Sequence, residues 1–175
     1  MNRQKIQRLL HIAMSDDDIR NQLGDVRIVK YGDLDDYDSI DDVLSNHNMV
    51  VILVETMINN GHWICALKYG HTVEIFDSYG LPIDDGLRYI NLRQRKRLDE
   101  LVPELSLLLD KCPYRVIYNK KDLQKWDPDI KTCGRHVCLR LKMRNLNLPQ
   151  YIKWITEQSK KLNLSSDEVV CYYIQ

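Results

Sequence analysis

The sequence predicts an α+β fold in which a small central mixed β-sheet is flanked by helices from both ends of the chain. Three observations carry that expectation. Apolar residues recur at helical spacing in the first fourteen positions and again after residue 133. Residues 49–55, Met-Val-Val-Ile-Leu-Val-Glu, form a continuous β-branched run of the kind that makes a buried strand. Two more strand-like runs follow it directly, separated by Gly70-His71, which reads as a tight hairpin turn.

Taken in order, residues 1–14 place Ile6, Leu9, Leu10 and Ala13 on one helical face. Ser15 ahead of Asp16, Asp17 and Asp18 reads as a cap and acidic first turn for a second short helix. Residues 38–45 suit another helix. After the strand at 49–55, Asn59-Asn60-Gly61 is a turn signal, and residues 63–69 and 72–76 form the hairpin. Residues 83–111 read as mainly helical with an interruption near Pro103, and 114–118 as a short strand. From Cys133 onward the chain reads as helical, broken at Asn147-Leu148-Pro149 and at Ser165-Ser166. Pro149 suits a first helical turn, and a serine before Asp167 and Glu168 suits a cap.

The length of 175 residues, with no repeat or flexible linker, favours one domain spanning 1–175. Apolar residues at 44% and charged residues at 29% are ordinary for a globular chain. No apolar run approaches the roughly 20 residues that span a bilayer, so no membrane partner is expected. Lysine plus arginine equal aspartate plus glutamate at 25 each, which argues against a dedicated nucleic-acid binder. Charge is nevertheless segregated. Residues 33–42 carry six aspartates, and Arg93, Arg95, Lys96 and Arg97 form a basic cluster. Five cysteines, an odd number, and a start without a signal-type apolar stretch lead to the expectation of reduced thiols in an intracellular compartment.

Three segments hold the chemistry: Gly61-His62-Trp63, residues 76–80 (Phe-Asp-Ser-Tyr-Gly), and Thr132-Cys133-Gly134. Together they supply a base, an acid to orient it and a thiol. A cysteine nucleophile must be a thiolate, and both an adjacent imidazolium and a helix N-terminus favour that form. Cys133 opens a helical stretch, and Gly134 behind it would let a substrate carbonyl approach the backbone. His62 would take and return the proton, and Asp77, across the tight turn, would hold its other ring nitrogen. The Cys133 N–H and the upstream amide of Gln124 are candidate oxyanion donors. Trp63 is a candidate wall of the substrate site. On the helical wheel, Gly134, Val137, Cys138 and Leu141 share a buried arc that makes Cys138 structural, while Arg140, Lys142 and Arg144 need an outlet.

With these residues in order, His62-Trp63, Asp77-Ser78, Gln124 and Cys133-Gly134, the chain resembles the adenain-like and ubiquitin-like-protein-specific cysteine proteases over roughly residues 45–145. The resemblance implies a papain-like active site in circularly permuted order, with Cys133 as nucleophile, His62 as base, Asp77 as orienter and Gln124 as oxyanion donor. The compact size is most similar to the maturation proteases of virophages, giant viruses and adenoviruses. It implies cleavage of capsid or core precursors in the host cytoplasm or viral factory, packaging in the virion, no cofactor for the chemistry, and a peptide or DNA as a candidate activator. The basic cluster 93–97 would be the DNA contact. The same residues would equally serve a deubiquitinating or SUMO-removing isopeptidase, and a non-catalytic binding module is a more remote alternative. Two other arrangements compete on chemistry: a zinc site from His62, Cys65, Cys133 and His136, disfavoured because His62 and Cys65 fall on opposite faces of a strand, and His136 as the base one turn from Cys133.

Overall fold

A computed structural model describes residues 2–175. Among them are eight α-helices and five strands. The strands β1 (Arg27–Lys30), β2 (Met49–Met57), β3 (Asn60–Tyr69), β4 (Thr72–Phe76) and β5 (Arg115–Tyr118) lie side by side in chain order. β2, β3 and β4 are antiparallel, while β1 runs parallel to β2 and β5 parallel to β4, so the sheet is mixed. The expected α+β class with helices around a small mixed sheet is what the chain adopts.

The helices are α1 (Arg3–Leu10), α2 (Asp16–Leu23), α3 (Ile40–Leu44), α4 (Leu92–Arg97), α5 (Glu104–Asp110), α6 (Cys133–Lys142), α7 (Leu148–Leu162) and α8 (Ser166–Tyr173). Strand alternation sorts the core into two layers. Val51, Leu53, Trp63, Cys65, Leu67 and Phe76 face α6, α7 and α8. Val50, Ile52, Val54, Ile64, Ala66, Val73 and Ile75 face α3, α5 and the 3₁₀ turns at Tyr31–Asp36 and Asp85–Tyr89. A third cluster of Ile6, Leu10 and Cys171 fastens α1 to α8.

The local signals resolve as follows. Ser15 caps α2 in a reciprocal box with Asp18, and Ser165 caps α8 in one with Glu168. Asn147 and Gln150 do the same for α7, with Pro149 in its first turn. The β3–β4 hairpin turns on Gly70-His71, with Gly70 at φ 56°. The turn signal at 59–61 resolves one residue earlier and shorter: Met57 pairs with Asn60, so Ile58-Asn59 make the turn and Gly61 lies within β3. Gly61 has its own reason to be glycine, since a Cβ there would sit 1.9 Å from the Val54 carbonyl oxygen of the neighbouring strand.

Other expectations need correction. The first helix ends at Leu10, short of Ala13, and Met1 of the expected span lies outside the described residues. Residues 83–111 give only a 3₁₀ turn and the short helices α4 and α5. α6 has no solvent outlet for Arg140: eight of its ten residues are buried, Arg140 among them. Its guanidinium instead grips buried Glu74 of β4 through two bonds of 2.7 and 2.8 Å and caps the helix by donating to the Met143 and Leu146 carbonyls. Lys142 and Arg144 do reach the surface.

Candidate active site

The hairpin and α6 converge at one end of the sheet. Cys65 pairs with Phe76, so the register carries residue 62 opposite residue 79 and places Asp77 diagonally from His62. His62 Nε2 and Asp77 Oδ1 are 2.8 Å apart. The same carboxylate oxygen accepts the Tyr79 N–H at 2.8 Å, and the Asn119 side chain donates to the Asp77 carbonyl at 2.7 Å, so the acid is held at both ends. With Nε2 engaged, Nδ1 is the ring nitrogen left for a partner.

Cys133, the first residue of α6, whose N–H has no intrahelical acceptor, lies beside the same ring. Burial pushes the Cys133 thiol up, but the His62 ring beside it and the backbone N–H groups of Trp63 and Gly134 outweigh burial and hold it below its ordinary value. His62 responds in the opposite sense. Burial alone would lower it, whereas the Asp77 carboxylate and the Cys133 sulfur raise it to about 10. Thiolate facing imidazolium is the charge state this arrangement favours. The remaining thiols differ: burial pushes Cys138 and Cys171 up to about 12 and Cys65 well above its ordinary value.

Cys133, His62 and Asp77 line a cavity of about 720 Å³. Its walls come from distant parts of the chain: residues 13–16, the β2–β3 turn, residues 81–90, Gln124 and residues 126–131. Trp63 contributes to the lining but is itself buried, with its indole N–H donating to the Met14 carbonyl at 3.0 Å. Gly134 packs against the same segment. A Cβ there would meet the Met14 Cβ at 2.9 Å and the Trp63 Cδ1 at 3.2 Å, so glycine lets α6 close onto this wall.

The chain aligns with "Uncharacterized protein V9" of Sputnik virophage at 38% identity over 161 residues, covering 91% of this chain and 92% of the relative. The chain belongs to the V9 family. No family model matches it. The virophage kinship expected from the sequence therefore holds.

Gln124 is buried in the V9-family fold, and its side chain is fully committed. Ser78 Oγ donates to its Oε1 at 2.7 Å, and its Nε2 donates to the Tyr79 hydroxyl at 3.1 Å and to the Ile130 carbonyl at 3.3 Å. Tyr79 is sandwiched between His62 and Trp126, with ring centroids 4.7 and 4.1 Å away. Sequence reasoning assigned Tyr79 no role, although it lay within the segment that carried Asp77.

A second His–Asp pair escaped the sequence reading. His136 Nε2 lies 3.1 Å from Asp167 Oδ1, so this histidine has an acid partner but is fully buried. Thr132 Oγ1 donates to the same oxygen, and the Lys125 N–H donates to Asp167 Oδ2 at 3.0 Å. Asp167 thus ties α8 to the residue before Cys133 and to the residue after Gln124. Burial raises its carboxyl, but these three donors outweigh burial and hold it below its ordinary value. His62 and Cys65 do fall on opposite faces of β3, and among the described residues no group of three or more His, Cys, Asp and Glu side chains is placed to hold a metal ion.

In the basic cluster, Arg93, Lys96 and Arg97 are exposed. Arg95 is turned inward and donates to the carbonyls of Glu100 and Leu101 at 2.8 Å. Among the described residues no helix is long and apolar enough to cross a membrane.

Proposed function

We propose that this V9-family protein is a cysteine endopeptidase that cleaves capsid or core precursors during virion maturation. The observation that carries the reading is that Cys133, His62 and Asp77 line one cavity, with the thiol lowered and the imidazole raised. In the proposed reaction, the Cys133 thiolate attacks the scissile carbonyl carbon while the C=O π pair moves onto oxygen. The Cys133 N–H and a second donor at the Gln124–Tyr79 corner of the cavity meet the resulting oxyanion. The His62 imidazolium gives its proton to the departing amine as the C–N bond breaks, leaving a thioester. Neutral His62 then takes a proton from water as that water attacks, and collapse of the second tetrahedral species expels the thiolate. Asp77 holds the ring and stabilises its charged form throughout.

The reading includes action in the host cytoplasm or viral factory and packaging with the particle. It also includes duplex DNA as an accessory partner through Arg93, Lys96 and Arg97, and DNA affinity should then fall steeply as salt rises. The deciding experiment is cleavage profiling on a peptide library, with a ubiquitin-like fusion as control, for the wild type and Cys133→Ala. Peptide cleavage that disappears in Cys133→Ala supports the endopeptidase. Cleavage confined to the fusion favours an isopeptidase, and full activity in Cys133→Ala removes the cysteine mechanism.

A further inference from the structure

We propose that the Tyr79 hydroxyl is a catalytic oxyanion donor, with Gln124 serving as the group that aims it. This rests on the cysteine-protease reading and deepens it. An oxyanion donor needs an uncommitted proton directed into the space beside the nucleophile. The two Gln124 N–H groups point at the Tyr79 oxygen and the Ile130 carbonyl, so both are spent. The orientation of that amide is fixed chemically, because the Ile130 carbonyl can only accept and so must face nitrogen. Tyr79 therefore accepts from Gln124, and among the described residues its own O–H proton has no acceptor.

The ring that carries this proton is fixed on every side by the candidate machinery. His62 stacks on one face and Trp126 on the other, the Asp77 carboxylate holds the Tyr79 N–H, and Gln124 holds the oxygen. Tyr79 lines the same cavity as Cys133. Accepting a bond from Gln124 also polarises the hydroxyl and makes it a better donor. Burial and the neighbouring Cys133 and Asp77 push the phenol up to about 12, so it keeps its proton throughout the neutral range. No proton leaves Tyr79 in the reaction. As sulfur bonds to carbon and the π pair localises on oxygen, the hydroxyl donates a hydrogen bond to that oxygen and withdraws it on collapse.

The test compares wild type, Tyr79→Phe, Gln124→Ala, the double variant and Cys133→Ala. Phenylalanine keeps the stack and deletes only the hydroxyl. Three readouts are taken: kcat and KM on a cleaved peptide, inhibition by the matching peptide aldehyde, and the rate of Cys133 alkylation by iodoacetamide. Cleavage and aldehyde binding both place negative charge on the carbonyl oxygen, whereas alkylation does not. The expected result is a loss of about 10²–10³ in kcat for Tyr79→Phe with KM little changed, a parallel weakening of the aldehyde, and unchanged alkylation. Gln124→Ala should fall with it, and the double variant should be no worse than Tyr79→Phe alone. Wild-type kcat in Tyr79→Phe overturns the proposal, as does alkylation that slows as much as cleavage. Activity surviving in Cys133→Ala would instead overturn the protease reading beneath it.

Discussion

Replacing His62 by alanine isolates the device on which the site depends. The rise of His62 from 6.5 to about 10 corresponds to roughly 5 kcal/mol in favour of the imidazolium, shared between Asp77 and Cys133. Removing the ring deletes the largest influence that lowers the Cys133 thiol and leaves burial opposed only by backbone N–H groups. The variant thiol should then titrate at or above the ordinary value near 8.5, where only about 3% is thiolate at pH 7. The alkylation rate at Cys133 in His62→Ala should therefore fall at pH 7 by a factor of about 30 or more, and the gap should narrow as pH rises through the variant thiol's own titration. The assay is iodoacetamide modification followed by mass-spectrometric mapping. Localisation is simple, because Cys65, Cys138 and Cys171 are buried with raised thiols and only half-buried Cys112 competes. On the alkaline side, wild-type peptide cleavage should persist until His62 loses its proton around pH 10. An identical pH profile for Cys133 alkylation in wild type and His62→Ala would refute the coupling.

Three further outcomes follow from packing and charge. Arg140→Met strands the Glu74 carboxylate inside the protein with only the Tyr69 hydroxyl for company, so urea unfolding should show a loss of about 3–5 kcal/mol. Gly61→Ala drives a Cβ into the Val54 carbonyl across the β2–β3 pair, a clash no side-chain rotation relieves, and should cost about 1–3 kcal/mol by the same assay while displacing the adjacent His62. Asp167→Asn removes charge from an acceptor that serves His136, Thr132 and the Lys125 N–H, and should cost about 1.5–3 kcal/mol near pH 7. Because the folded carboxyl lies below its ordinary value, that contribution is present above about pH 4 and is lost as pH falls through the folded value. Wild-type and variant stabilities should therefore converge in acid.

What could be read from the chain was whatever a short stretch determines by itself. The hairpin at Gly70-His71 has a two-residue turn, so the separation of His62 and Asp77 along the chain already implied that they return to one end of the sheet. Cys133-Gly134 announced a helix start by composition. β1 was not visible because Arg-Ile-Val-Lys is four residues long and gains its place only by pairing with β2. The split of residues 83–111 was hidden for the opposite reason. Their helical composition is genuine, but Glu100 is drawn inward to accept the Glu55 N–H at 2.8 Å, and this stops α4 early. Its carboxyl is raised to about 7 by burial, consistent with an interior position no local pattern would assign.

The same distinction separates the proposed reacting groups from those that hold them. Asp167 is explained locally as part of an acidic first turn behind a serine cap, and nothing within ten residues hints at its bonds to Thr132, His136 and Lys125. Tyr79 looks like a turn aromatic until the register sets it against His62 and the fold brings Gln124 to its hydroxyl. Met14 joins the site only because α1 and α8 are fastened together and direct the following segment across Trp63. A nucleophile, a base and an acid can each be recognised by residue type. The groups that hold them in place are ordinary residues, and their roles arise from contacts far apart in the chain, 49 positions between Trp63 and Met14 and more than twice that between Gly134 and Met14. A V9-family member that kept Cys133, His62 and Asp77 but lost Tyr79 or Asp167 would therefore retain the recognisable motif while losing the geometry that the proposed chemistry requires.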